Sequence, residues 1–161
     1  MSFDESYSRR MGVMTGFGSY MKAVIEDQGI EKALEYSRKS THNDCDNNMK
    51  NFVAPESPIT SQEARDILHK GNPNAGINGT VEVVDNEVIS SNGKCVFYDG
   101  WSAAGLKSSE IEQLCRGRFE IYIGRIWKKR NPNIEGELRK FKESSEGLCL
   151  EVLKFKEYPN P

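Results

Sequence analysis

The spacing of apolar residues along the chain changes from helical to strand-like. Between residues 8 and 27, apolar side chains fall on one arc of a helical wheel and predict an amphipathic helix: Met11, Met14, Phe17, Met21, Val24 and Ile25. A second helix is predicted from Ile30, and its polar middle either crosses solvent or breaks near residues 43–46. A third begins at Thr60 or Ser61, because Glu63 follows at capping-box spacing.

The second half of the chain has short apolar stretches separated by turn residues. Two of these stretches, TVEVV (80–84) and EVIS (87–90), flank Asp85-Asn86. This dipeptide is typical of a hairpin turn. A further short strand is predicted within residues 91–98, after a turn at Asn92-Gly93. Residues 109–129 form the clearest predicted helix, which Asn131-Pro132 ends, and a second hairpin follows, with strands GELRKFKES (136–144) and LCLEVLKFK (148–156).

This order of elements predicts the α+β class, with an antiparallel sheet of four to five strands packed against the long helix and an N-terminal helical part. We expect the sheet to be made from residues 80–98 and 136–155. One α+β domain is predicted over residues 1–161, with a helical part at 1–75 and a ββ-α-ββ part at 76–161.

Composition narrows the classes of function. The chain has 161 residues, of which 37% are hydrophobic and 29% charged, and this is typical of a folded domain. A net charge of −2 argues against nucleic-acid binding, which needs a basic surface. No apolar stretch is long enough for a membrane span, and MSFDESYSRR lacks the apolar core of a secretory signal. We therefore expect a cytoplasmic protein without a membrane partner.

The cysteines are the first candidates for chemistry. The four of them, Cys45, Cys95, Cys115 and Cys149, form no CxxC pair, so zinc ribbons and thioredoxin-like motifs have no support. We expect no metal site and no cofactor, while the sequence leaves open a metal held by cysteines that converge in the fold. Free cysteines are most often buried as small apolar side chains. The alternative is that Cys95 is a nucleophile with a base nearby, although the spacing of the two histidines, His42 and His69, fixes no partner for it.

The long helix places charges inside an apolar sector. On a wheel, Cys115 and Tyr122 lie at the centre of the apolar arc, and Arg118 and Arg125 fall beside them. Such arginines extend to solvent, pair with a carboxylate, or bind an anionic ligand bidentately. We expect a cavity between this helix and the sheet, lined by Cys95, Tyr98, Trp101, Cys115, Tyr122, and Arg118 or Arg125.

Two stretches resemble a known family. GKCVFYDGWSAAGL (93–106), followed by the segment that begins SSEIEQLCRGRFEIYIGRIW, is similar to the L-2-amino-thiazoline-4-carboxylate hydrolase-like family. The residues that match its layout are Cys95, Trp101, Gly105, Cys115, Asn131, Pro132 and Cys149. The family is related in fold to 4-vinyl-reductase-like domains, which are α+β, often dimeric, and contain an internal cavity.

The resemblance implies a hydrolase that opens a thiazoline ring, with Cys95 or Cys115 as the reacting thiol. The ligand-binding residues would then be Tyr98, Trp101, Arg118, Tyr122 and Arg125. The alternative is a non-catalytic ligand-binding or dimerisation module with the same cavity, and Cys95-Val96, where relatives have Cys-Pro, favours it slightly. Either way the expected partners are a small carboxylate-bearing molecule and a second copy, with the methionine-rich arc of the first helix at the dimer interface.

Overall fold

Three helices come first in the chain. The computed structural model describes residues 2–156. Helices α1 (Phe3–Gln28), α2 (Ile30–Asn48) and α3 (Ser61–Asn74) are followed by strands β1 (Ile77–Val84) and β2 (Glu87–Cys95). Helices α4 (Val96–Ala103) and α5 (Ser108–Tyr122), a π-helical segment (Ile123–Trp127), and strands β3 (Ile134–Lys140) and β4 (Cys149–Phe155) complete the fold. None of the described helices is long and apolar enough to cross a bilayer.

Local signals determine where the N-terminal helices begin and end. Ser2 and Glu5 form a capping box at the start of α1, and Thr60 and Glu63 form the predicted one at α3. Gly29, with φ of 86°, separates α1 from α2. Helix α2 continues unbroken through its polar middle, because small residues recur every fourth position on its buried face and let it pack closely on its neighbours: Ala33, Ser37, Thr41 and Cys45.

The four strands form one antiparallel sheet in the order β1-β2-β4-β3. The predicted α+β class is therefore confirmed, as is the hairpin turn, where Asp85 has φ of 53°. The core of the protein contains two apolar clusters. One surrounds Trp101 and Leu114, and the other surrounds Val88 and Trp127.

The prediction of a turn at Asn92-Gly93 was wrong. Strand β2 continues to Cys95, with an irregularity in its pairing to β1 between Asn92 and Cys95, because Asn92 is paired on both sides, with Gly79 of β1 and Cys149 of β4. Pairing with two neighbours outweighs a local turn preference. Of the residues predicted to hold an extra strand, 91–95 belong to β2 and 96–98 begin α4, so the C-terminal part is ββααββ rather than ββ-α-ββ.

The long helix is also not uniform. Helix α5 ends at Tyr122, and the next five residues are π-helical, with the Lys128 N–H donating to the Ile123 carbonyl at 2.9 Å. This wider turn keeps both Ile123 and Trp127 buried. The predicted single helix over residues 109–129 is therefore divided.

Helices α1 and α4 approach each other through glycines. A Cβ placed on Gly100 would lie 2.6 Å from the Met14 Cβ and 3.0 Å from the Met14 carbonyl carbon. A Cβ placed on Gly18 would lie 2.9 Å from the Ala104 Cβ. Each glycine therefore permits a contact that any other residue would block, and this contact positions Trp101 in the core.

We expect Gly100→Ala to lower the free energy of unfolding by about 1–3 kcal/mol, because the added methyl meets backbone that has to shift. The matched control is Gly71→Ala in α3, where nothing lies within 4 Å of the added Cβ. That change should be neutral or stabilise by up to ~1 kcal/mol through helix propensity. Urea denaturation of both variants measures the difference, and equal stabilities would contradict the close α1–α4 contact.

Candidate functional site

A layer of polar side chains crosses the inner face of the sheet between the two apolar clusters. Ser90 and Asn92 of β2 are buried, and they lie opposite Glu151 and Cys149 of β4 in the strand register. The Ser90 hydroxyl donates to the Asn92 Oδ1 at 2.8 Å. From α3, the Asn72 amide donates to the Ser90 hydroxyl at 3.0 Å. Buried polar groups need such partners, so these bonds hold α3 against the sheet.

Glu151 brings an ionisable group into this layer. Burial raises the pKa of its carboxyl from 4.5 to about 7, and a hydrogen bond from Asn92 offsets part of the shift. The carboxyl therefore titrates near neutral pH. Within a core, such a group can donate a hydrogen bond at one pH and accept one at another.

Three thiols lie around the same carboxyl. Burial raises the pKa of Cys95 to about 11, with the backbone amides of Phe97 and Tyr98 at the start of α4 opposing the shift. Burial likewise raises the pKa of Cys115 well above its usual value, and the pKa of Cys149 also rises. Since the thiolate is the nucleophile, these raised pKa values disfavour the reactive form of all three thiols.

Arg118 of α5 lies on two aromatic rings. Its Cζ atom is 5.0 Å from the Phe97 ring centroid and 5.9 Å from that of Trp101. The side chain is 11% exposed, and its carboxylate partner, Asp44 of α2, lies 3.9 Å away and is 52% exposed. The guanidinium is therefore largely desolvated, while its ion pair is longer than a hydrogen bond.

Most of the residues predicted for the site lie in one region. Electrostatic coupling links Cys95, Cys115 and Arg118, and burial raises the pKa of Tyr122, with the nearby Arg118 charge opposing the shift. Trp101 is fully buried beneath Arg118.

The two remaining predicted site residues differ in position. The backbone amide of Tyr98 faces Cys95 and its side chain belongs to the Trp101 cluster, whereas Arg125 lies outside that cluster. The Tyr98 ring packs on Phe141, at 5.8 Å between centroids, and lies 4.6 Å from the Lys142 Nζ. Arg125 extends to the surface and pairs with Asp46 at 3.2 Å. The one-residue drift of the π-helical segment places Arg125 outside the sector that holds Arg118.

Two open clefts lie elsewhere in the described part of the chain. One, of about 500 Å³, runs along a face of α2, and another, of about 550 Å³, lies where the Tyr7 hydroxyl donates to Asp99. Neither is lined by Cys95, Cys115 or Arg118. Among residues 2–156, no group of three or more histidine, cysteine or acidic side chains is arranged to hold a metal ion.

Sequence reasoning missed Glu151 and Asp44. Glu151 alternates with Leu150 and Val152 in a strand that is apolar on both faces, and this pattern is typical of a strand in the middle of a sheet. That signal could have indicated a buried carboxyl. Asp44 lies in a polar stretch of α2 and carries no comparable signal, since its contact with Arg118 depends on how α2 packs against α5.

Compared with known proteins, the chain matches no family model, no curated protein and no solved structure.

We expect Glu151 to make stability depend on pH around neutrality. Because its folded-state pKa is raised from 4.5 to about 7, its contribution is fully present below pH 4.5 and is lost as pH rises through 7. The free energy of unfolding should fall by about 3 kcal/mol over this pH range. Glu151→Gln should remove this slope and be more stable than the parent at pH 8, as measured by denaturant melts across pH 4–9.

Glu137 provides the matched control on the outer face of the sheet. Pairing with Lys154 and Arg139 lowers the pKa of its carboxyl, so its contribution is lost as pH falls rather than as it rises. Glu137→Gln should leave the slope near neutral pH unchanged. A parent protein with flat stability between pH 5 and 8 would contradict the burial of an ionisable Glu151.

Proposed function

We propose that this protein is a non-catalytic binding module for small carboxylate-bearing molecules, of the kind its resemblance to L-2-amino-thiazoline-4-carboxylate hydrolases suggests. Its fold would then be of the 4-vinyl-reductase-like type, with the long helix packed across the sheet. The observation that carries the proposal is the state of Arg118. It is a mostly buried cation with a loose partner.

A ligand carboxylate would improve the pairing of Arg118. Guanidinium groups bind carboxylates through two parallel hydrogen bonds of about 2.7–2.9 Å. The 3.9 Å distance to Asp44 leaves that geometry unused. Because Asp44 is half exposed on α2, it can turn to solvent without leaving a buried charge behind, and the ligand would enter between α2 and α5.

The aromatic floor under Arg118 supports the same interpretation. Trp101 is fully buried, and its indole Nε1–H has no acceptor in the described part of the chain. A buried donor without a partner costs free energy. An anionic ligand would supply an acceptor to this region. Phe97 and Trp101 would provide apolar contact for the remainder of a small ligand.

The thiols favour binding over catalysis. A nucleophilic cysteine needs a lowered pKa, which is usually provided by a neighbouring cation or a base. Here burial raises the pKa of both candidates, Cys95 and Cys115. The positive charge of Arg118 opposes this shift at Cys115, but desolvation is the larger effect.

One observation favours the alternative, a thiol-assisted hydrolase. Glu151 has a pKa of about 7 and is electrostatically coupled to Cys95 and Cys115, so it is a candidate general base. In that case Cys95 or Cys115 would lose its proton to Glu151 and its sulfur would add to the ring carbon that bears the amino group. The cyclic C–N bond would then break as its nitrogen takes the proton from Glu151, and water would displace the cysteine thiol to release the ring-opened product. The two proposals share the Arg118 site and differ in whether product forms.

We expect L-2-amino-thiazoline-4-carboxylate, or a similar small carboxylate, to bind the parent protein. Its dissociation constant for Arg118→Met should be roughly 10- to 100-fold higher, which corresponds to the free energy of one charge-assisted hydrogen bond. Arg125→Met is the matched control, since Arg125 lies on the same helical stretch but pairs at the surface. Isothermal titration calorimetry measures both. Equal loss in the two variants, or none in either, would contradict a specific role for Arg118.

Thermal melts accompany this test. Neither arginine has a buried carboxylate partner, so removing it leaves no unpaired charge in the core. We expect both methionine variants to unfold within about 1 kcal/mol of the parent, because methionine keeps much of the apolar contact. A loss of roughly 3–5 kcal/mol would instead identify Arg118 as part of a structural ion pair.

Catalysis is tested by following ring opening and thiol reactivity together. We expect the parent to bind the thiazoline without forming ring-opened product, and iodoacetamide to label Cys95 and Cys115 slowly at pH 7.4 because their thiols are protonated. The hydrolase would be established instead if the parent forms product and if Cys95→Ser or Cys115→Ser abolishes this activity without unfolding the protein.

A further inference from the structure

The outward face of α1 carries a regular stripe of exposed residues. They recur at alternating intervals of four and three, the spacing of a two-helix seam, and they are Arg9, Val13, Gly16, Tyr20, Ala23 and Asp27. Val13 is 64% exposed and Tyr20 is 54% exposed, so two large apolar side chains face solvent on the same side of α1. The methionines expected at an interface lie on the other face, where Met21 is fully buried and Met14 packs on the core.

The glycines of α1 fall into two groups. Gly18 is explained within the chain, because a side chain there would collide with Trp101 and Ala104. Gly12 and Gly16 have nothing within 4 Å of an added Cβ. Glycine weakens a helix interior relative to alanine, and at these two positions it leaves open space beside the helix. In the described chain, no other backbone approaches Gly12 or Gly16.

The charges at the two ends of the stripe are opposite in sign and unpaired. Neither Arg9 nor Asp27 has an ion-pair partner among residues 2–156. Asp27 also lies in the last turn of α1, where the helix dipole disfavours a carboxylate. The stripe thus has a positive end, a negative end and an uncharged middle.

We propose that α1 packs against α1 of a second copy in an antiparallel, two-fold symmetric dimer. With the axis level with Gly18, Arg9 of one protomer faces Asp27 of its partner at both ends. Val13 faces Ala23, and the Tyr20 ring of each protomer fills the space that Gly16 of the other leaves open. Charge and size are then complementary at all six positions, as an isologous interface requires.

A neighbouring ring extends this surface. Tyr20 lies 6.3 Å from Tyr36 of α2, measured between ring centroids, and Lys32 lies 5.1 Å from the Tyr36 centroid. Tyrosines of this kind are common at the centres of protein interfaces. The surface is separate from Arg118, so the dimer does not depend on the proposed ligand.

Sedimentation equilibrium over a concentration series tests the proposal. The parent should sediment as a dimer of twice 18.2 kDa. Gly16→Gln should raise the dissociation constant at least ten-fold, because the larger side chain occupies the space required by Tyr20. Its matched control is Gly71→Gln, also at an open, exposed helical glycine but outside the stripe, and it should leave the dimer unchanged.

Charge reversal tests the antiparallel pairing itself. Arg9→Glu and Asp27→Arg should each weaken the dimer, while the double variant should restore it, since the exchanged charges again face each other across the axis. Both reversals suit the dipole of α1, so neither should unfold the helix. A parent protein that remains monomeric at about 0.1 mM, or a dimer indifferent to Gly16→Gln, or a double variant without rescue, would overturn the proposal.

Discussion

The hydrogen-bonded polar layer inside the sheet is the constraint on which the arrangement of the other elements depends. Ser90, Asn92 and Glu151 face inward, the first two buried and Glu151 half-buried, and their placement is tolerable because they bond to one another and to Asn72 of α3. A shift of one residue in the β2–β4 register would turn all of them to the outer face and bring Ile89 and Val152 inside. The layer therefore sets the register and holds α3 in place, and an apolar cluster packs on each side of it.

Desolvation also decides the chemistry of the site. Burial favours the neutral form of an acid, so the thiols of Cys95 and Cys115 stay protonated and the Glu151 carboxyl titrates close to neutrality. A guanidinium keeps its charge under the same conditions, because its intrinsic pKa is far above neutral. Arg118 lies beside these protonated thiols on two aromatic rings, with its carboxylate partner 3.9 Å away, and this contrast supports the recognition of a carboxylate more than nucleophilic catalysis.

The two faces of helix α1 have different surroundings. Its inner face fits α4 so closely that Gly18 and Gly100 have no room for a side chain, and this contact buries Trp101 under Arg118. On its outer face, Gly16 has open space around it and Val13 and Tyr20 are exposed. Packing within one chain explains the close contact between α1 and α4. The open, exposed outer face of α1 is explained if α1 of another copy lies against it.

The sequence by itself determined the features that depend on a few neighbouring residues. The capping box of Thr60 and Glu63, the hairpin at Asp85-Asn86 and the apolar arc of the long helix all rest on short-range bonds or on the helical period. These signals were sufficient for the α+β class with an antiparallel sheet. They also drew attention to Cys95, Cys115 and Arg118 before any distance between them was known.

Only the tertiary structure decided which local preferences prevailed and which side chains met. Asn92-Gly93 stays extended because two strands pair with β2. Those strands are distant in sequence, so a turn preference read from four neighbouring residues takes no account of them. Arg118 and Arg125 are indistinguishable by residue type and wheel position, yet the π-helical segment sends Arg125 to the surface while α4 places two aromatic rings under Arg118. Burial is a property of the whole packed chain, and it is burial that separates the exposed Glu137 from the titrating Glu151.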